Sequence, residues 1–154
     1  MASEAEYEFF KYVWECEEAR SRGLMRRGQR LIAVGTLYVA GLGVGIVRTA
    51  PVSQPPELLG GYALGAALIV LALLFAIRAL GVAHYDLAPP PVAGGRVGGE
   101  ELRSERLIAL AAATDENFVQ NELRNARLRV AVTCLAVGVL VHVALFVALG
   151  FSGL

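Results

Sequence analysis

The sequence predicts an all-α integral membrane protein with three transmembrane helices and two cytoplasmic amphipathic helices, assembled as a helical-bundle homo-oligomer. The first observation is composition: 56% of the 154 residues are hydrophobic, 18% are charged and the mean hydropathy is +0.55, which is too apolar for an ordinary soluble domain. The second is that the apolar residues form three uncharged segments between charged or Pro- and Gly-rich stretches. About 20 apolar residues in a helix cross a hydrocarbon core of roughly 30 Å.

Residues 1–30 are predicted to form a cytoplasmic amphipathic helix. Ser3 and Glu6 have the spacing of a capping box, which places the start of the helix at Glu4. Aromatic and apolar residues cover more than half of its circumference, and an acidic stripe covers the rest. Because anionic lipids repel an acidic helix, we expect other helices or a partner protein to cover the apolar face. The residues expected to make this contact are Tyr7, Phe10, Val13 and Trp14.

Residues 31–47 are the first predicted transmembrane helix. They are 17 uncharged residues that follow five arginines between Arg20 and Arg30. Gly41 and Gly45 have the small-xxx-small spacing that lets another helix approach closely, although glycine is common in membrane helices without any such role.

Residues 58–83 are the second predicted transmembrane helix, after a short Pro-rich loop. Its first 20 residues are uncharged, and Gly61 and Gly65 are expected to pack against another helix. Arg78 lies near its far end, where the long side chain either reaches the lipid headgroups or is a buried functional group. A Pro- and Gly-rich linker follows at residues 84–99.

The last third of the chain is predicted to contain a cytoplasmic helix, residues 100–129, and the third transmembrane helix, residues 130–150. The latter has no charged side chain in 21 positions. Two interpretations of this last third remain open. Either the helix breaks near Ala113 and Thr114, with Thr114 or Asp115 as the new helix cap, or one unbroken helix runs from Glu100.

The distribution of basic residues predicts the orientation. Of the 14 basic residues, only Arg48 lies on the side of the loop between the first two spans. Because basic residues are retained on the cytoplasmic side, we expect a bacterial inner-membrane protein with its amino terminus in the cytoplasm and its carboxy terminus outside.

Polar residues of the third helix are the candidates for a pore or gate. A ribbon of polar side chains recurs every four residues and either interlocks copies of the chain or forms a solvated face below the membrane: Asn117, Asn121, Asn125, Arg129 and Thr133. His142, the only ionisable group well inside this span, is either a gate or a neutral side chain bonded to a neighbouring helix. By helical angle it lies near Arg124 and Asn117, with Ala131 and Gly138 beside it, so a polar and small face runs along the helix. Gly138 is a further helix-packing candidate. The candidates are Asn117, Asn121, Arg124, Asn125, Thr133 and His142.

The sequence contains no pattern typical of an enzyme. It has no recognisable catalytic set, phosphate-binding loop or metal-ligand spacing, so neither a cofactor nor a metal is expected. Cys16 and Cys134 belong to a charged and an apolar segment, and no disulfide between them is expected. The arginines before the first span are explained by topology, and no nucleic acid is expected as a partner.

Three features together resemble small prokaryotic membrane proteins that are effectors of anti-phage defence. They are Trp14 with Glu18 to Arg20, the Arg26–Arg27 pair before the first span, and the Asn- and Arg-rich segment 121–129 before the last. The resemblance implies an oligomer that perturbs the inner membrane when a soluble cytoplasmic sensor protein is activated. The chain has no recognisable domain for a second messenger.

The leading hypothesis from the sequence is an oligomeric inner-membrane protein that forms or gates a pore, or disrupts the membrane, in contact with lipids. The alternative is a small membrane anchor or subunit whose cytoplasmic helices dock a soluble partner protein.

Overall fold

A computed structural model describes the chain as three α-helices: α1 (Glu4–Thr49), α2 (Pro56–Leu80) and α3 (Glu100–Ser152). It describes residues 4–49, 56–81 and 100–152, with side chains for residues 5–42, 58–81 and 104–148. Every described residue except Gly81 is helical, which confirms the predicted all-α class.

The two long helices each join segments that the sequence analysis treated separately. The predicted amphipathic helix and the predicted first span form one helix, α1, which contains no proline to interrupt it. Of the two interpretations left open, the unbroken helix is the one observed, because α3 continues through Ala113 and Thr114 for 53 residues in all. The Thr114 hydroxyl does not cap a helix; it donates to the Leu110 carbonyl oxygen at 2.7 Å, within the same helix.

α2 begins at Pro56, a position where the missing N–H of proline costs nothing. It ends at Leu80, where the Gly81 amide donates to the Ile77 carbonyl oxygen at 2.8 Å. Residues 82 and 83 of the predicted second span, like the predicted linker 84–99, lie outside the described part of the chain.

α1 and α3 run parallel, and α2 runs antiparallel to both. Residues of α1 contact residues 103 or 104 positions later in α3, as in the pairs Glu17–Asn121 and Tyr38–His142. The opposite direction of α2 is clear from Arg78, whose carbonyl oxygen accepts from Arg127, whereas Tyr62 contacts His142.

α2 is much shorter than its neighbours and divides the molecule into two regions. We call the part with all three helices the bundle, formed by residues 28–42, 58–81 and 127–148. We call the part with α1 and α3 alone the stalk, formed by residues 5–27 and 104–126. Gly28, where an added Cβ would lie 2.8 Å from Leu80 Cδ2, marks the boundary.

One buried seam runs along α3 through both regions. Its residues are spaced alternately by four and three, which is the 3.5-residue repeat of helices that coil around each other. The buried members are Leu110, Thr114, Asn117, Asn121, Arg124, Leu128, Ala131, Gly138 and His142. In α1 the matching buried positions are Ser21, Leu24, Gly28 and Gly35.

Two helices are long and apolar enough to cross a membrane. These are Leu58–Leu80 and the apolar part of Ser104–Ala148, with mean hydropathies of 2.5 and 2.6. Only 28% and 17% of these windows are buried inside the chain, so most of their apolar side chains face outward, as lipid contact requires. A membrane location is compatible with these findings. The predicted span 31–47 is not one of the two, and a third span, the orientation and the oligomer remain predictions.

Candidate functional site

His142 lies between the three helices of the bundle, toward the end away from the stalk, with 1% of its surface exposed. Its ring stacks between Tyr38 of α1 and Tyr62 of α2, with ring centroids 5.9 and 5.7 Å away and interplanar angles of 24° and 29°. Phe146, one helical turn later, meets the Tyr62 ring edge-on at 6.4 Å. We call these four side chains the aromatic cluster. It joins all three helices at one level.

Both ring nitrogens of His142 have partners. Nε2 lies 3.2 Å from the backbone carbonyl oxygen of Tyr62, and Nδ1 lies 3.3 Å from the Tyr38 hydroxyl. A carbonyl oxygen can only accept, so Nε2 carries a proton. In the neutral imidazole, Nδ1 then accepts from the Tyr38 hydroxyl. The arrangement matches the second sequence interpretation, a histidine bonded to neighbouring helices.

Two glycines make room for this cluster. A Cβ on Gly65 would lie 2.5 Å from His142 Nε2, and a Cβ on Gly138 would lie 2.9 Å from the Gly65 carbonyl oxygen. The backbones of α2 and α3 therefore approach each other directly at this level, in the way that small residues permit in membranes. The glycines predicted to pack helices thus include two that lie in the tightest contact between α2 and α3.

The other predicted packing glycines differ in their surroundings. A Cβ on Gly61 would lie 3.0 Å from both Leu145 methyl carbons, whereas Gly41 has nothing from the described chain within 4 Å. Packing at Gly41 would therefore need another molecule. The surroundings of Gly45 lie outside the described side chains. Gly35, where a Cβ would lie 2.7 Å from Leu73 Cδ2, packs closely without having been singled out.

In the stalk, buried polar side chains join α1 to α3. Asn121 Nδ2 donates to Glu17 twice, to the carbonyl oxygen at 3.0 Å and to Oε2 at 2.9 Å. One turn further on, Arg124 Nη1 donates to the Ser21 hydroxyl at 2.8 Å. Asn121 Oδ1 and Trp14 Nε1 are buried without a hydrogen-bond partner among the described residues. Such groups cost free energy, so the stalk seam is not optimised for stability alone.

A second layer of contacts surrounds the Asn121 pair at the stalk surface. Arg20 forms ion pairs with Glu122 of α3 and, at 3.4 Å, with Glu17 of its own helix. Its guanidinium also lies 5.7 Å from the centre of the Phe118 ring. The hydrogen bond to Glu122 raises the pKa of Arg20 above its ordinary value. These contacts connect charges of opposite sign on the two helices and so fix their register.

The predicted asparagine ribbon is split between two faces. Asn117 and Asn121 are buried in the seam with Arg124 and His142, whereas Asn125 is half-buried and Thr133 is exposed. A strict four-residue spacing turns about 40° per step, so it leaves a seam that follows a 3.5-residue repeat. The Thr133 hydroxyl donates to the Arg129 carbonyl oxygen at 3.1 Å, as an ordinary threonine within a helix.

The predicted protein-contact residues lie in the outer stalk. Tyr7 is exposed, whereas Phe10, Val13 and Trp14 are half-buried. Phe9 and Tyr12, which were not singled out, are more exposed, at 61% and 65%.

The partners of His142 were also missed. Tyr38 and Tyr62 lie inside predicted spans, where a hydroxyl needs a bonding partner, and this signal could have pointed to them.

The described residues do not assemble a recognisable catalytic constellation. No group of three or more His, Cys, Asp or Glu side chains among them is placed to hold a metal ion, and Cys16 and Cys134 are free thiols. What the arrangement offers is a continuous buried seam, closed by α1, that is polar in the stalk, apolar from Leu128 to Gly138 and polar again at His142 inside the bundle. Comparisons with protein-family models, curated proteins and solved structures found no match for the chain.

Proposed function

We propose that this protein is an oligomeric inner-membrane protein that gates a path across the membrane, with the seam closed in the arrangement described above. The observation that carries the proposal is the burial of His142, an ionisable side chain, inside an apolar bundle. Ionisable groups at membrane depth are costly and mark ion or proton pathways by default. The seam places Arg124, Asn121 and Asn117 in line with it toward the stalk.

In this closed state, His142 faces the interior of one chain and does not face a path between copies. Opening therefore requires a helix to move. α2 and α3 are held by direct backbone approach at Gly65 and Gly138. By contrast, α1 contacts the bundle core through side chains, including Leu73 against Gly35 and Tyr38 against His142. We therefore assign α1 as the helix that moves, because side chains rearrange at lower cost than backbones in contact.

The stalk and the aromatic cluster are coupled because α1 and α3 each continue through both regions. A change at Glu17 and Asn121 in the stalk alters the position of α1, and the same rigid helix carries Tyr38 into the aromatic cluster. A soluble partner bound to the stalk would bias α1 between two positions, which is how a binding event shifts a two-state equilibrium. This mechanism accommodates the defence-effector role that the sequence resemblance implies.

The second candidate function is an anchor that docks a soluble partner without conducting ions. It is favoured by the exposed aromatic residues Tyr7, Phe9 and Tyr12 at the outer end of the stalk. In that case the seam would serve only to hold α1 against α3.

The test is ion leak from proteoliposomes that contain the purified protein. Tyr38→Ala removes the α1 contact with His142, and we expect it to raise the leak about tenfold over wild type, the change that a population shift of ~1.4 kcal/mol produces. Phe9→Ala, an aromatic-to-alanine change on the exposed part of the same helix, is the matched control and should leave the leak unchanged.

Cross-linking then distinguishes movement of α1 from general loosening. In a Cys16→Ser/Cys134→Ser background, Leu24→Cys/Leu128→Cys ties α1 to α3 and should abolish the leak of Tyr38→Ala. Gly61→Cys/Leu145→Cys ties α2 to α3 and should not. Absence of leak in both wild type and Tyr38→Ala would contradict gating and favour the anchor. Equal leak with either cross-link would contradict movement of α1.

A further inference from the structure

A groove lies between α1 and α3 near the stalk end of the bundle. Its volume is about 630 Å³, and only α1 and α3 line it, with no contribution from α2. It contains Asn125, Arg129 and Thr133, the three members of the predicted polar ribbon that lie off the seam. The gating proposal gives this groove no role.

The polarity of the groove changes along its length. Arg27 of α1 and Asn125 and Arg129 of α3 line the part toward the stalk, Arg30 and Val132 line the middle, and Leu31 and Val34 line the end inside the bundle. The buried side chains of Leu24 and Leu128 also line it. Because α1 and α3 are parallel, both helices place their arginines on the stalk side of Leu31 and Val34. From Arg27 to Val34 the groove extends about 10 Å along the helix axis. This is the distribution of polarity in an amphiphile with a charged head and an apolar tail.

The described side chains do not neutralise the three arginines. None of them forms an ion pair with a described side chain. α1 has no acidic residue after Glu18, and α3 has none after Glu122. A positively charged groove without acidic neighbours calls for an anion from outside the chain.

We propose that this groove binds one anionic phospholipid. Its phosphate lies between Arg27, Arg30 and Arg129, which offer the planar donor pairs that match phosphate oxygens. Its acyl chain follows Leu31, Val34 and Val132 into the membrane. The half-buried amide of Asn125 supplies a further donor at the polar end. Basic pockets between membrane helices on the cytoplasmic side are the kind of site that anionic lipids occupy.

A second copy of the chain fits this groove less well. A two-fold contact presents the same surface from both partners, so the arginines of one copy would face those of the other. Such a contact brings like charges together at low dielectric, which is unfavourable. Charge complementarity thus favours the lipid, and this inference depends on the membrane location but not on gating.

The experiment is native mass spectrometry of the full chain released from detergent micelles. The micelles contain equal amounts of phosphatidylglycerol and phosphatidylcholine with identical acyl chains. We expect retention of one phosphatidylglycerol per chain, about tenfold over phosphatidylcholine, because both lipids carry the phosphate but choline adds a positive charge that the groove arginines repel. Millimolar inorganic phosphate should not displace it if the acyl chain contributes to binding.

Two double variants with the same charge make the test specific. Arg27→Gln/Arg30→Gln removes two groove arginines, and we expect the preference for phosphatidylglycerol to fall at least tenfold. Arg22→Gln/Arg26→Gln removes two arginines that lie about one turn earlier in α1, outside the groove, and should retain the preference. Equal loss in both variants, equal retention of the two lipids, displacement by phosphate, or a lipid-free dimer would each overturn the proposal.

Discussion

The bundle and the stalk use the same two helices but are held together in different ways. The bundle core consists of small and apolar residues, including Ile69, Ala72, Ala76 and Ala131, with His142 as its one buried ionisable side chain among the described residues. The stalk buries Ser21, Asn117, Asn121 and Arg124 between only two helices. The seam is continuous, yet its chemistry changes at the level where α2 ends.

The difference follows from the surroundings that each region has if the protein lies in a membrane. In lipid, apolar side chains gain nothing by leaving the solvent for another helix, so close packing at small residues holds helices together. In water, apolar burial would stabilise a two-helix stalk more strongly than asparagine and arginine do. Polar pairs instead specify which residue meets which. We infer that close packing at small residues determines how the helices of the bundle fit together. In the stalk, hydrogen bonds determine which residues of α1 and α3 meet.

The largest expected effect is in the bundle, where backbones touch. Gly138→Leu places a side chain where a Cβ would already be 2.9 Å from the Gly65 carbonyl oxygen and from Ile69 Cγ1. We expect a loss of about 3 kcal/mol in the free energy of unfolding, because neither neighbour can move without shifting a helix. Denaturation in detergent followed by circular dichroism measures it. Gly41→Leu, at a glycine with no neighbour within 4 Å, is the control and should change stability little.

The next effect is in the stalk. Arg124→Ala removes the donor to the buried Ser21 hydroxyl and the packing of the buried arginine stem. We expect a loss of about 2 kcal/mol, the cost of leaving a buried polar partner unsatisfied. Arg127→Ala is the matched control, since that side chain is exposed and bonds a carbonyl of α2 instead. Equal destabilisation by the two variants would contradict a specific role for the seam.

Asn121→Leu separates register from stability. The substitution replaces two hydrogen bonds to Glu17 with apolar contact, so we expect stability to change by less than about 1 kcal/mol in either direction. We expect the register of α1 against α3 to become less well defined, because leucine packs equally well against several positions along α1. The readout is disulfide formation in Leu24→Cys/Leu128→Cys, which should become less efficient. Unchanged cross-linking would show that register is set elsewhere.

The smallest effect is expected at the stalk surface. Arg20→Gln removes the ion pair with Glu122, in which the two side chains are 33% and 50% exposed. Water and salt screen such a pair, so we expect a loss of about 0.5 kcal/mol that disappears at high ionic strength. Thermal unfolding at low and high salt measures it. A salt-independent loss would mean that the Arg20 contact with Phe118 is the larger contribution.

The sequence predicted those features that depend on the residues of a single helix. Hydropathy predicts the apolar parts of α2 and α3, and the helical angle predicts that His142 shares a face with Arg124 and Asn117, as the structure places them. The sequence was misleading at Thr114, which looks like a helix cap. Its hydroxyl instead donates to a carbonyl oxygen of the same helix, as a threonine in mid-helix can, and the helix continues.

Pairing between distant segments was not predictable. Tyr38 and Tyr62 meet His142 from positions 104 and 80 residues away, and nothing local specifies those distances. The same holds for Glu17 and Asn121, which look like surface residues until α1 is placed beside α3. The groove arginines were also not predictable as a site. The sequence explains them as signals of membrane topology, and their place in one groove becomes visible only when α1 and α3 are placed side by side in parallel.

The central claim, that α1 is the helix whose position closes the seam, is tested most directly by spin-label distances in nanodiscs. In a Cys16→Ser/Cys134→Ser background, labels replace the exposed Leu37 of α1 and Leu140 of α3, while a second pair at Leu64 and Val143 reports α2 against α3. The account predicts a single narrow α1–α3 distance in the wild type and a longer or broader one in Tyr38→Ala, with the α2–α3 distance unchanged. An α1–α3 distance that stays the same while the leak rises would contradict it.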